Sequence, residues 1–549
     1  MRGYGRARAM GLLGLLGTPI TVEAYAAPGL PRFALVGLPD GALSESRDRV
    51  RAAVLASGLG WPQAALTVSL SPAWIRKQGS GFDLAVALAV LRASGEVPSG
   101  QQLPAQLSSN AVPHDAVFIA ELGLDGRVRP VRGVLPRALA AVRAGLSRIF
   151  TAEANAAEAA QVPGAEVTGL RSLRQLAALA GGFPVPDEPP GDADSVPPDC
   201  APEQDGGTEP DLAEVLGQLQ ARRALEISAA GGHHLFLRGS PGAGKTMLAK
   251  RLPGILPPLD AEAALEVSSV HSLAGTLPDD PPLITRPPFC SVHHSATVAS
   301  MVGGGSGVMR PGAVSRAHRG ILFLDETAEF QRPVLDALRE PIESGEVTIA
   351  RAAGIARFPA RFLLVAAANP CPCGRAGDAT ALCTCAPRQR AAYLARISGP
   401  LLDRIDLRVD VAPVGPGELL DAASGGLAAE STAQVAGRVA QARARAARRL
   451  GGTPWQSNAE VPGAVLRSRW PLRIGSLAGA EGALRTGVLS ARGLDRVIRV
   501  AWTVADLAGL DRPGRAEIDA ALAFRLGLQA VEPWSAGGRR GVVGSGPVG

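Results

Sequence analysis

Polar and apolar residues alternate with period two through TPITVEAYA (18–26), PRFALVGLP (31–39), AALTVSLS (64–71) and AVFIAELG (116–123). That alternation predicts half-buried strands. SRDRVRAAVLASG (46–58), FDLAVALAVLRASG (82–95) and LPRALAAVRAG (135–145) instead repeat apolar positions at helical spacing. Residues 1–182 therefore read as one mixed α/β or α+β domain. Residues 183–210 are Pro-rich, acidic and without period, which marks a linker. Beyond it the strands change character. HHLFLRG (233–239), GILFLDE (320–326), RFLLVAAAN (361–369) and LRVDVAP (407–413) read as short apolar strands, separated by helical segments such as 211–231 and 331–345. Strands apolar on both faces, alternating with helices, predict a doubly wound parallel sheet over 211–412. Residues 413–530 read as a helical, Arg-rich domain and 531–549 as a Gly-rich flexible tail.

Composition narrows this further. With 549 residues and 46% apolar content the chain can build several cores, so wholesale disorder is excluded. No run of 18 apolar residues occurs, so no membrane span is expected. Arg2, Arg6 and Arg8, the run MGLLGLLG and Ala24-Tyr25-Ala26 imitate a secretory signal. The run is short and broken by glycine, and TPITVEAYA alternates like a strand, so secretion is not expected. From Arg388 onward there are 22 Arg against 14 Asp plus Glu. Such an excess suits a polyanionic partner, or a solvated basic face. Of the 56 basic residues only Lys77, Lys245 and Lys250 are lysine. A lysine kept in so arginine-biased a chain points to a need for an ammonium rather than a guanidinium.

The phosphate chemistry is local and legible. Gly239-Ser240-Pro241-Gly242-Ala243-Gly244-Lys245-Thr246 follows an apolar strand and opens a helix. In that setting the loop's N–H groups and the helix N-terminus cradle phosphates, Lys245 reaches the β/γ-phosphates of ATP, and Thr246 offers its hydroxyl to Mg²⁺. The strand ILFL ends in Asp325-Glu326, read as a Mg²⁺-shell carboxylate and the group that polarises the attacking water. RFLLVAAAN ends in Asn369, which either orients that water or simply forms the turn before Pro370. Cationic groups are also needed against the transition state. Arg404 and Arg492 stand out, but in a chain this rich in arginine the residues alone do not choose between them.

The family resemblance rests on longer segments. These are GLPDGALSESRDRVRAA (37–53), KQGSGFDLAVAL (77–88), ELGLDGRVRPVRGVLP (121–136), GQLQARRALEISAAGGHHL (217–235), VGGGSGVMRPGAVSRAHRGILFLDE (302–326), EVTIARAAGIARFPARFLLVAAANPCPCG (346–374), PLLDRIDL (400–407) and LSARGLDRVIRVAWTVADL (489–507). In this order they resemble an AAA+ ATPase of the branch holding magnesium-chelatase subunits and MCM helicases, and more closely the YifB/ComM family, from about Thr18 to Leu526. The resemblance implies a ring, usually a homo-hexamer, with nucleotide between subunits. It implies Arg404 as an arginine finger acting in trans and Arg492 as the sensor-2 arginine opening a lid helix. It makes VTIARAAGIARF (347–358) a pore hairpin with Arg351 contacting DNA, and VGGGSG (302–307) a second pore loop. Where relatives read RxPHH this chain has Cys290-Ser291-Val292-His293-His294, and Ala313 stands where an acidic residue is usual. His293 and His294 are read as loop or interface residues.

Residues 1–182 resemble the Lon-protease-like fold without its Ser–Lys dyad. Gly81 falls at the nucleophile position with Ser80 one place off, and Leu135 at the base position, so the domain is expected to be non-proteolytic. Lys77 is left as an anion or DNA contact, or a plain surface charge. Cys371, Cys373, Cys383 and Cys385 cluster after Asn369. Their spacing fits structural Zn²⁺, free thiols or a redox disulfide. The expectation is a cytoplasmic Mg²⁺-dependent ATPase and DNA helicase, ComM-like in branch migration of single-stranded or branched DNA, with recombination proteins as partners and no membrane. The alternatives are a magnesium-chelatase-type ATPase, ranked second for lacking the N-terminal block, and a regulatory scaffold switched by ATP.

Overall fold

The computed structural model describes residues 3–38, 40–98, 112–113, 115–190, 210–280, 282–305, 309–351, 354–376, 382–415 and 429–528. Most of the expected linker and the whole expected tail lie outside them. The first unit is a seven-stranded mixed sheet. Its strands are β1 (Tyr4–Leu13), β2 (Leu16–Ala27), β3 (Arg32–Val36), β4 (Ala65–Ser71), β5 (Val117–Ile119), β8 (Arg148–Ala152) and β9 (Glu166–Leu170), in the order β3-β4-β2-β1-β5-β8-β9. A small hairpin, β6 (Glu121–Leu122) and β7 (Val128–Arg129), stands apart. The segment that imitates a secretory signal forms the β1–β2 hairpin at the centre of this sheet; the alternation of residues 18–26 predicts β2 and not β1. Alternation also sorts the two faces. Ala7, Ala9 and Phe118 join the core around the helix Asp83–Ser94, whereas Met10, Val117 and Ile119 join the one around the helix Val134–Arg143. Asp83, fully buried, is held by Arg49 Nε and Nη2 at 2.8 and 3.1 Å. Lys77 is buried rather than a surface charge, and its ammonium donates to the Pro72 carbonyl.

The second unit carries a five-stranded parallel sheet of β10 (Leu235–Arg238), β11 (Phe289–Val292), β14 (Ile321–Leu324), β17 (Leu363–Ala368) and β18 (Leu407–Asp410). The order is β11-β14-β17-β10-β18. Alternate residues of the apolar runs face two cores. Leu235, Phe323 and Val365 lie against the helices Leu219–Gly231 and Lys245–Ile255, and Phe236, Leu324 and Ala366 lie on the other side. Burial on both faces explains why β14 and β17 do not alternate in polarity, whereas the edge strand β18 does, with Leu407 and Val409 buried and Asp410 exposed. Two hairpins project from this unit: β12–β13 (Gly303–Gly304, Arg310–Pro311) and β15–β16 (Glu346–Arg351, Gly354–Pro359).

The C-terminal helices Thr432–Leu450, Gly463–Arg469, Ala478–Arg485, Ala491–Ala508 and Arg515–Leu526 share their core with the first face of the parallel sheet. Val497, Ala501 and Trp502, one stripe of Ala491–Ala508, are fully buried there. A buried polar network fixes this junction. Asp406 pairs with Arg496 at 2.7 Å and His233 at 3.3 Å, and His233 continues to Thr503 at 2.7 Å. Burial opposes ionisation of Asp406, yet Arg496 and His233 hold its carboxyl well below the usual range. Described residues of the first unit meet the second around Ser272 and at the β15–β16 hairpin. The Gly133 N–H donates to the Ser272 carbonyl and Ser272 to Glu158, while Leu13 lies against Gly354 at the end of the β15–β16 hairpin.

Candidate nucleotide site

β10 ends at Arg238, and the chain turns through 239–244 into the helix that starts at Lys245. The turn needs glycine. Gly242 and Gly244 take φ of +79° and +87°, and a β-carbon on Gly239 would lie 2.4 Å from the Val411 carbonyl. In the sheet, β17 lies between β10 and β14, so the strand ending in Asn369 separates the phosphate loop from the strand ending in Asp325. All three tips leave the carboxyl edge of a parallel sheet, where ligands of such folds bind.

The side chains converge there. Lys245 Nζ donates to the carbonyls of Gly239 and Ser240 at 2.8 and 2.9 Å and to Asn369 Oδ1 at 3.1 Å. Burial pulls its ammonium below the ordinary value, against the attraction of Asp325 and Glu326. Thr246 Oγ1 donates to Asp325 Oδ2 at 2.7 Å. A hydroxyl and a carboxylate side by side are hard oxygen donors that fit Mg²⁺, which takes one or two protein oxygens and leaves the rest to water and phosphate. Bound Mg·ATP would bring the metal's neutralisation of phosphate charge. Glu326 has φ +47°, a costly backbone for a non-glycine residue.

Two residues of this region, Gln218 and Glu343, were not singled out in the sequence, and a third, His294, takes a further contact. His294 Nδ1 lies 3.1 Å from Glu326 Oε2, so it is a partner of the candidate catalytic carboxylate, not only a loop residue. Register shows why: Val292 pairs with Leu324, and two residues on His294 faces Glu326. Gln218 Nε2 donates to the Ala243 carbonyl at 2.6 Å and braces the phosphate loop from the preceding segment. Glu343 holds Arg404 Nη2 at 2.5 Å.

Arg404 and Arg492 do not join this cluster. Arg404 precedes β18, and Arg492 lines a cavity of about 690 Å³ with His234, Gly320, Leu363 and Asp406, which precede or open β10, β14, β17 and β18. Glu343, the partner of Arg404, lines the same cavity. Both arginines therefore mark the amino edge of the sheet. A four-residue strand separates the edges by about 13 Å. Within one chain neither guanidinium meets Lys245.

Arg351 is exposed at the end of β15, beside Gly304 of the other hairpin. Residues 352–353 and 306–308, the tips of the two expected pore elements, lie outside the described residues. The four cysteines do converge, with all four sulfurs within 4.8 Å of one another. Cys371–Cys373, Cys373–Cys383 and Cys371–Cys383 separations are 3.3, 3.6 and 3.7 Å. The Arg375 N–H and the Cys371 thiol lower Cys373 to about 6. No described helix is long and apolar enough to cross a membrane.

Comparison with known proteins gives the family. Residues 22–155 match a model described as subunit ChlI of Mg-chelatase, 211–419 one for magnesium chelatase subunit ChlI, and 429–525 one for the C-terminal part of that subunit. The N-terminal block thus matches a model described for a chelatase subunit. Coverage still separates the chelatase relatives from the YifB and ComM relatives. The magnesium-chelatase 38 kDa subunit of Cereibacter sphaeroides is 30% identical over 182 residues, 29% of this chain and 52% of its own length. YifB of Escherichia coli is 39% identical over 514 residues, 93% of this chain and 95% of its own. The competence protein ComM of Haemophilus influenzae is 36% identical over 526 residues, 95% and 97%. With the complete phosphate-loop arrangement at the carboxyl edge of its parallel sheet, the chain belongs to the YifB/ComM family of magnesium-chelatase-like AAA+ ATPases.

Proposed function

We propose that this protein hydrolyses ATP at clefts shared between neighbouring subunits of a homo-hexameric ring and uses the cycle to move DNA, acting as a helicase in branch migration. One observation carries the reading. The groups of the hydrolytic site are divided between opposite edges of one sheet, with Lys245, Thr246, Asp325, Glu326 and Asn369 on one and Arg404 and Arg492 on the other. Neither edge is complete alone. Stacking the amino edge of one subunit on the carboxyl edge of the next completes the site and makes turnover depend on assembly. In that cleft Lys245 neutralises phosphate charge, Thr246 and Asp325 hold Mg²⁺, and Glu326 accepts the proton of the attacking water that Asn369 orients. Arg404, released from the half-exposed Glu343, would bind the charge that develops on the transferred phosphoryl group.

The unit of residues 1–182 is taken as a non-proteolytic Lon-like domain, 183–210 as a linker, 211–412 as the ATPase core and 413–530 as the helical lid, with 531–549 as a tail. Buried Lys77 bonded to Pro72 and the apolar, buried Leu135 leave Ser80 without the base a peptidase needs. DNA is the favoured substrate because exposed Arg351 and Arg357 line a hairpin whose inner face is apolar and buried, an arrangement that tracks phosphates without reading sequence. Arg351→Ala is expected to lower strand displacement on forked DNA at least about tenfold. A gel assay of displaced strand checks it, and undiminished displacement removes the hairpin from the DNA path.

A further inference from the structure

We propose that Cys371, Cys373, Cys383 and Cys385 bind one Zn²⁺ ion that clamps the turn after β17 against the phosphate loop. Zinc–thiolate bonds of about 2.3 Å put the sulfurs of a tetrahedral site roughly 3.8 Å apart. The three separations given above, 3.3 to 3.7 Å, approach that edge, and all four sulfurs share one 4.8 Å neighbourhood. A disulfide would use two sulfurs at bonding distance; here four gather around one point. Cys371 is wholly buried, and its sulfur accepts the Ala376 N–H at 3.4 Å, the kind of outer contact that orients a metal-bound thiolate. Each thiol that ligates gives its proton to solvent, and no electron is transferred.

The place of the cluster gives it a purpose. Asn369, two residues before Cys371, accepts from Lys245. On the other side of the turn Gly374, at φ +76°, sits so close to the phosphate loop that a β-carbon there would lie 2.5 Å from Pro241 Cδ. One short turn thus touches the nucleotide site twice, through Asn369 and through Pro241. A metal that fixes the turn fixes the distance between these two contacts.

The test uses the full chain purified without chelator. Metal analysis is expected to find one zinc per chain, and Cys383→Ser with Cys385→Ser to carry none. A second measurement on the unaltered chain guards against misfolding of that variant. Exchange with Co²⁺ should give the intense absorption of a tetrahedral tetrathiolate site. Stripping the zinc should weaken binding of a fluorescent ATP analogue about tenfold, and re-adding zinc should restore it. A chain that carries no zinc and takes none up, a full zinc complement in the double variant, or a disulfide among these cysteines overturns the site. Bound zinc with unchanged affinity on stripping overturns the clamp. The effect on ATP rests on the nucleotide reading above, whereas zinc content does not. Zinc bound by a chain that never binds ATP would therefore sink that reading and leave the metal site standing.

Discussion

Glu326→Gln should bind ATP normally and turn it over about 10²–10⁴-fold more slowly, while Lys245→Ala should lose nucleotide binding itself. The difference follows from where each group sits. Lys245 is buried and donates into the mouth of the phosphate loop, against the carbonyls of Gly239 and Ser240. Removing it deletes the one ammonium that meets the β/γ-phosphates and leaves Asp325 and Glu326 to repel them. Glu326 lies beyond Asp325, at φ +47°, half-exposed and paired with His294 rather than with Lys245. An amide there keeps the shape and loses only the ability to take the proton. Equilibrium binding of a labelled ATP analogue, set beside phosphate release, separates the two variants. Turnover by Glu326→Gln near the unaltered rate would move the base elsewhere.

Arg404→Ala should lower turnover about 10³-fold or more while its own phosphate loop stays intact. Mixing it with Lys245→Ala should restore part of the activity, although each variant alone is inactive. In a mixed ring an Arg404→Ala subunit keeps Lys245, Thr246, Asp325 and Glu326, and a Lys245→Ala neighbour supplies Arg404 across the interface. The two edges of the sheet make this a geometric demand, because one subunit's arginines lie a strand's length from its own Lys245. Steady-state phosphate release across mixing ratios gives the answer. A mixture no more active than its parts would mean that hydrolysis is completed within one chain.

The carboxyl-edge site was legible in the sequence because its signals are local. Gly239–Thr246 needs only a strand before it and a helix after it, and Asp325-Glu326 and Asn369 are tips of apolar runs. Strand β2 was legible too, because TPITVEAYA alternates with period two, whereas its partner β1, whose Gly- and Leu-rich run resembles a leader, was not. What could not be read depends on which strands become neighbours. His294 is four residues into a segment with no phosphate motif, and only the β11–β14 register carries it to Glu326. Gln218 reaches the phosphate loop from 25 residues upstream of Ala243, and Glu343 pairs with an arginine far along the chain. Arginine itself was uninformative, because this chain spends it on core anchors such as Arg496 and Arg449 as freely as on exposed faces. Lys77 shows the same limit from the other side. Its rarity suggested chemistry, and the fold buries it against a carbonyl.

The central claim is that ATP broken at a site shared by two subunits is spent on moving DNA. The most direct measurement follows phosphate release and strand displacement together, with the same preparation on forked and three-stranded DNA. The account predicts Mg·ATP-dependent rings whose turnover rises with DNA and whose displaced strand appears only while ATP is consumed. A protein that stays monomeric with Mg·ATP and DNA, hydrolyses ATP at a rate indifferent to DNA and displaces no strand would contradict it.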